Sequence, residues 1–80
     1  MKKFTVEFHD MDDKALFLDK TNSLDCEVDI LYGSHVGDGK SAIYVLNLPV
    51  NTGISVGVFS DEIDISKVFA PWIVEGSYHA

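Results

Sequence analysis

Asp25-Cys26-Glu27-Val28-Asp29-Ile30-Leu31-Tyr32-Gly33-Ser34-His35-Val36-Gly37-Asp38-Gly39-Lys40-Ser41 reads as a strand, a turn, a returning strand and the start of a helix. Cys26, Val28, Ile30 and Tyr32 alternate with Glu27 and Asp29, the period of two that marks a half-buried strand. Gly33-Ser34 supplies the turn, and His35 to Asp38 run back. Ser41 is a preferred helix N-cap, and the helix it opens runs through about Leu48, where Pro49 stops it.

The same signals continue on both sides. Phe4, Val6 and Phe8 alternate with Thr5 and Glu7, and Ile54-Ser55-Val56-Gly57-Val58 repeats the pattern, giving four strands. Asp12 or Asp13 is placed to cap a helix with Phe17, Leu18, Thr21 and Leu24 on its inner face. Asp61 opens a third helix carrying Ile65, Val68, Phe69 and Trp72, which Pro71 ends or kinks at Ala70. Trp72 reads as the core anchor of that helix. Glu75 to Ala80 lack periodicity and are expected to fray. The order βαββαβα, with one apolar face per strand, predicts an α+β open-faced sandwich. Its four-stranded antiparallel sheet is covered on one face by three helices.

With 80 residues, residues 1–80 form one domain able to bury a single modest core. A hydrophobic share of 46% with 24% charged residues fits a globular chain rather than a disordered one. An enclosed active-site cavity does not fit in so small a core, so any partner is met on the surface. The formal charge of -7, with every base a lysine, argues against nucleic acid and, more mildly, against anionic membranes and phosphate substrates. No apolar run reaches the roughly 20 residues of a membrane span, and no signal-peptide core follows Lys2 and Lys3. A single cysteine, Cys26, excludes an internal disulfide and suggests a reducing compartment, so a cytoplasmic location is expected.

From Asp25 to Gly53 the chain resembles the bacterial phosphocarrier HPr family. The strand–turn–strand and the Asp38-Gly39-Lys40-Ser41-Ala42-Ile43 helix start match without a gap. The apolar pattern to Leu48 and the glycine before the last strand also match. The resemblance implies the HPr-like form of the open-faced sandwich, and a phosphohistidine in a His-x-Arg-Pro sequence at the start of the first helix. Carried over without gaps, those positions fall on Asp10, Asp12 and Asp13, so the motif is missing. The segment before it is also a few residues short.

A shift of one residue brings His9 to the site, making it the weak candidate phosphoacceptor and an active carrier the alternative reading. Asp10, Asp12 and Asp13 speak against it, because a developing phosphate needs donors and positive charge. By the same resemblance Ser41 is a candidate regulatory phosphorylation site, with the plain helix cap as the simpler reading. The family's docking surface maps to Ala42, Ile43 and Leu46, with Asn47 at its edge, and Tyr44 stands where glycine is usual. So short a helix cannot bury Ala42, Ile43, Tyr44, Val45, Leu46 and Leu48 on one stripe, so some are expected to face a partner.

The remaining constellations are weak. His9 with Asp10, Asp12 and Asp13 lacks the turn glycine of a hard-metal loop, so no metal or other cofactor is expected. Cys26 reads as a buried, inert thiol. His35 and His79 have no partners that single them out. Gly37-x-Gly39-Lys40-Ser41 shares part of a P-loop, but its first glycine lies too close. The expectation is a non-enzymatic regulatory or interaction module that has lost phosphoryl transfer and is switched at Ser41. Its protein partner is a kinase, a phosphotransferase component or a transcriptional regulator, and neither nucleic acid nor membrane.

Overall fold

The computed structural model describes residues 1–74; the tail expected to fray, Glu75 to Ala80 with His79, lies outside them. The elements are β1 (Lys2–Val6), α1 (Met11–Asn22), β2 (Val28–Tyr32), β3 (His35–Asp38), α2 (Ala42–Leu46), β4 (Ile54–Val58) and α3 (Ile65–Val68). The order is the βαββαβα expected. The strands form one antiparallel sheet in the order β1-β4-β2-β3, with helices on one face only, so the fold is an α+β open-faced sandwich. Among the described residues no helix is long and apolar enough to cross a membrane.

Register explains which face is covered. Phe4 pairs with Val56, Val56 with Ile30 and Ile30 with Gly37, making one row across all four strands. Val6 and Ile54 form the row beside it, and Val58 with Val28 the row on the other side. Except for Gly37, all these residues are buried. Phe17, Leu18 and Thr21 of α1, Val45 of α2 and Ile65 of α3 close over them. Phe17 stands at the centre of the aromatic packing, edge-on to Phe8 at 5.0 Å and to Trp72 at 5.5 Å. Trp72 is buried in the core as expected, but it lies beyond the end of α3 at Val68 rather than on the helix, and its Nε1 has no hydrogen-bond partner.

Several boundaries differ from those read in the sequence, each for a tertiary reason. β1 starts at Lys2 and stops at Val6, because β4 offers no partner beyond Ile54. Phe8 leaves the sheet while staying buried, and its carbonyl accepts the Asn51 N–H at 2.6 Å. β2 begins at Val28, so Cys26 lies before the strand and is half-buried rather than buried. The cap of α1 is Asp10 rather than Asp12 or Asp13, and Leu24 packs from beyond the helix end. α2 ends at Leu46, short of Leu48. α3 starts at Ile65 rather than near Asp61, since the Ile63 carbonyl is held by Lys2 Nζ at 2.7 Å.

Two features outside the regular elements shape the molecule. The segment after α3 returns along the outer edge of β1, where Glu7 N–H donates to Trp72 O at 2.9 Å and Val74 N–H to Thr5 O at 2.8 Å. The ring of Tyr44 lies on Gly37, finishing the Phe4–Val56–Ile30 row with a side chain from α2. A Cβ built on Gly37 would overlap that ring. We predict that Gly37→Ala lowers stability by about 1–3 kcal/mol in urea denaturation, as overpacked sites do. In a Tyr44→Ala background the same change costs much less, and equal costs in both backgrounds would refute this packing.

Candidate functional site

The loop from Asp38 to Ser41 is fastened before α2 begins. Gly39 donates its N–H to Val28 O at 2.8 Å and accepts from Thr21 Oγ1 at 2.8 Å, so it lies between the sheet and α1. A side chain there would come within 2.7 Å of Val28, which is why the position requires glycine. Asn22 Nδ2 donates to Lys40 O at 3.2 Å, and Lys40 Nζ donates to Leu24 O at 2.6 Å. Lys40 therefore serves as a strut to the end of α1. The lysine of the Gly-Lys-Ser sequence is thus accounted for structurally by its bond to Leu24 O.

Ser41 caps α2 as expected, but its Oγ accepts the Tyr44 N–H at 3.4 Å, a long bond. Beyond it, the residues expected to dock a partner separate by face. Ala42 and Asn47 are exposed, Leu46 is half-buried, and Ile43 is 81% exposed, the most exposed large apolar side chain among the described residues. The Asn47 amide folds back onto Ile43 O at 2.6 Å and closes the helix end. Lys14 of α1 is buried and donates to Leu46 O at 3.2 Å, holding the C-terminus of α2 where a cation is favourable.

Beside Ile43 lies an open, mostly apolar hollow of about 410 Å³ between α2 and the tip of the β2–β3 hairpin. Ser41, Ile43 and Asn47 line it, and so do Tyr32, His35 and Pro49, which the sequence reading did not assign to any site. Tyr32 and His35 meet there because the Gly33-Ser34 turn pairs them directly. That register was the available signal. Of the four expected docking residues, Ala42 and Leu46 stand off the hollow while Ile43 and Asn47 form its edge.

The front loop is arranged differently. Asp10 Oδ1 accepts the Asp13 N–H at 2.9 Å, and Asp13 Oδ2 accepts the His9 N–H at 2.8 Å. The two carboxylates thus satisfy backbone donors at and just before the start of α1, a variant of the reciprocal capping box. His9 is exposed, and its Nδ1 sits 3.3 Å from Asp13 Oδ2. At the place where a phosphoryl group would need donors, the protein has put acceptors. Among the described residues no group of three or more His, Cys, Asp or Glu side chains is placed to hold a metal ion.

Compared with family models, curated proteins and solved structures, the chain finds no match. The two candidate regions therefore stand on their geometry. We expect Asp10→Ala to cost about 1 kcal/mol of stability as a lost N-cap, and Asp12→Ala to stay within about 0.5 kcal/mol. Thermal or urea unfolding of the two variants reads this directly, and equal effects would remove Asp10 from the cap.

Proposed function

We propose that this chain is a cytoplasmic, non-enzymatic interaction module related to the HPr phosphocarriers, one that has given up phosphoryl transfer and docks a protein partner through α2. The observation that carries the reading is Ile43, 81% exposed at the edge of an apolar hollow. Leaving a large apolar side chain in water brings the free chain no stability, whereas covering one contributes about 1.5–3 kcal/mol. The relation to HPr is supported by the element order and by the Asp38 to Ile43 segment, whose glycine and lysine both have fixed structural tasks. The resemblance makes the partner a kinase, a phosphotransferase component or a transcriptional regulator.

The loss of carrier function is supported by the front loop. A phosphoryl group on His9 would sit against Asp13, with Asp10 capping the helix below and no arginine anywhere in the chain. Ser41 is the place for a switch, because its residue lines the hollow and a phosphate there would add about two negative charges to an apolar surface. Incubation with phosphoenolpyruvate and enzyme I of the sugar phosphotransferase system should leave no acid-labile phosphate on the protein. Labelling that disappears in His9→Ala would overturn the loss of carrier function. An HPr-type kinase with ATP should label the wild type and not Ser41→Ala; without that label the switch falls and docking stands.

A further inference from the structure

The two outer edges of the sheet end differently. On the β1 side the chain covers its own edge, with Glu7 N–H on Trp72 O at 2.9 Å and Val74 N–H on Thr5 O at 2.8 Å. On the β3 side the ladder fixes where the backbone groups point. The two-residue turn makes Tyr32 and His35 a bonded pair, and such pairs recur at every second residue of an antiparallel ladder. Gly39, whose N–H reaches Val28 O at 2.8 Å, keeps the same phase. His35, Gly37 and Gly39 therefore direct their backbone groups at β2, whereas Val36 and Asp38 direct theirs out of the sheet. The Asp38 carbonyl takes the Ser41 N–H at 3.1 Å. Among the described residues nothing bonds the Val36 N–H or C=O.

Nothing in β3 defends this edge. The strand carries neither lysine nor proline, and no bulge interrupts its pairing. Val36 projects to the uncovered face of the sheet, at the end of the row Thr5–Ser55–Leu31–Val36, and is 64% exposed. A residue that turns one donor and one acceptor outward is complementary to itself about a two-fold axis. Charge then selects the register. Pairing centred on Asp38 would set like carboxylates opposite each other and call on a carbonyl that Ser41 already holds. Centred on Gly37, it would set each Asp38 against the partner's Val36. Centred on Val36, it sets Asp38 against the partner's Ser34, and the two valines meet.

We propose that the β3 edge takes a second copy of this chain, paired antiparallel through Val36 so that the two four-stranded sheets become one. The Val36 N–H of each copy donates to the Val36 carbonyl of the other. The axis is perpendicular to the sheet, so both helix layers lie on the same side and the two α2 helices, whose Tyr44 rings cover Gly37, flank it. This pairing stands independently of the docking reading of α2. With four residues in β3 the interface is small, so the dimer is weak and depends on concentration. Each copy carries a charge of -7, so salt that screens the repulsion strengthens the dimer.

Sedimentation of the full chain over about a hundredfold range of concentration reads the association, and amide shifts of the ¹⁵N-labelled protein locate it. The expected result is a dimer at the upper end, with concentration-dependent shifts and slowed hydrogen exchange at Val36 and Asp38. Association should tighten several-fold as the screening length falls from about 30 Å at about 0.01 M salt to about 3 Å at about 1 M. Val36→Lys, an ordinary edge residue, should weaken it about tenfold or more while the amide spectrum keeps the fold. Val36→Pro removes the outward donor and leaves the ladder to β2 intact, so it should do the same. A chain that stays monomeric throughout overturns the pairing, as does a folded Val36→Lys variant that dimerises as tightly as the wild type. Concentration-dependent shifts at Ile43 and Asn47 with none at Val36 also overturn it, because the second copy then sits on α2.

Discussion

Everything around α2 depends on one close approach, the passage of Gly39 between Val28 and Thr21. The backbone there is bonded on both sides at 2.8 Å, to the sheet through its N–H and to α1 through its carbonyl. Thr21 is fully buried and its hydroxyl is shared between Gly39 O at 2.8 Å and Leu18 O at 3.1 Å, so the bond is made in a region where an unpaired carbonyl would cost about 1–3 kcal/mol. Because the loop is fixed there, Lys40 and Asn22 can add their bonds and Ser41 can begin a helix at a defined place. A five-residue helix has little stability of its own. It holds its position because Gly39 anchors one end and Lys14 the other.

The two candidate regions illustrate opposite uses of polar groups. At the front of α1, the carboxylates of Asp10 and Asp13 turn inward to their own backbone, which stabilises the helix and consumes the donors an anion would need. At α2, the polar groups close the helix ends and leave apolar surface outward. The first arrangement closes a surface on itself, and the second leaves one open. A self-capped helix start and an outward apolar side chain are physically compatible, since a helix cap and an exposed side chain need nothing from each other.

The sheet was legible because period-two alternation survives in any context: Phe4 and Val6, Val28 and Ile30, Ile54, Val56 and Val58 all lie on the covered face. Element order followed from it. Helix limits were less legible, since Asp10, Asp12 and Asp13 are equally good caps by residue type, and only the path out of β1 selects Asp10. That the apolar residues in and just after α2 cannot share one stripe was readable, and Ala42 and Ile43 are left outside while Val45 and Leu48 are buried. The hollow was not readable, because the turn pairs Tyr32 with His35 but only tertiary packing sets that pair beside Pro49. Nor was the role of Tyr44, whose ring covers a glycine on a strand several residues earlier. The first depends on α2 packing beside the hairpin and the second on the path of the Gly39 loop, neither of which local pattern specifies.

The strip from Trp72 to Val74 along β1 has a consequence for how the chain assembles. β1 lies between β4 and that strip, so neither neighbour of the earliest strand exists until most of the domain has been made. The β2–β3 hairpin can form early from local pairing, but Phe4 and Val6 must wait for Ile54 to Val58 and then for Trp72 to Val74. Closing loops of that length delays their pairing without adding much to its thermodynamic cost. Until those partners arrive, Phe4 and Val6 have no sheet to cover them, and Lys2 and Lys3 beside them keep the segment charged.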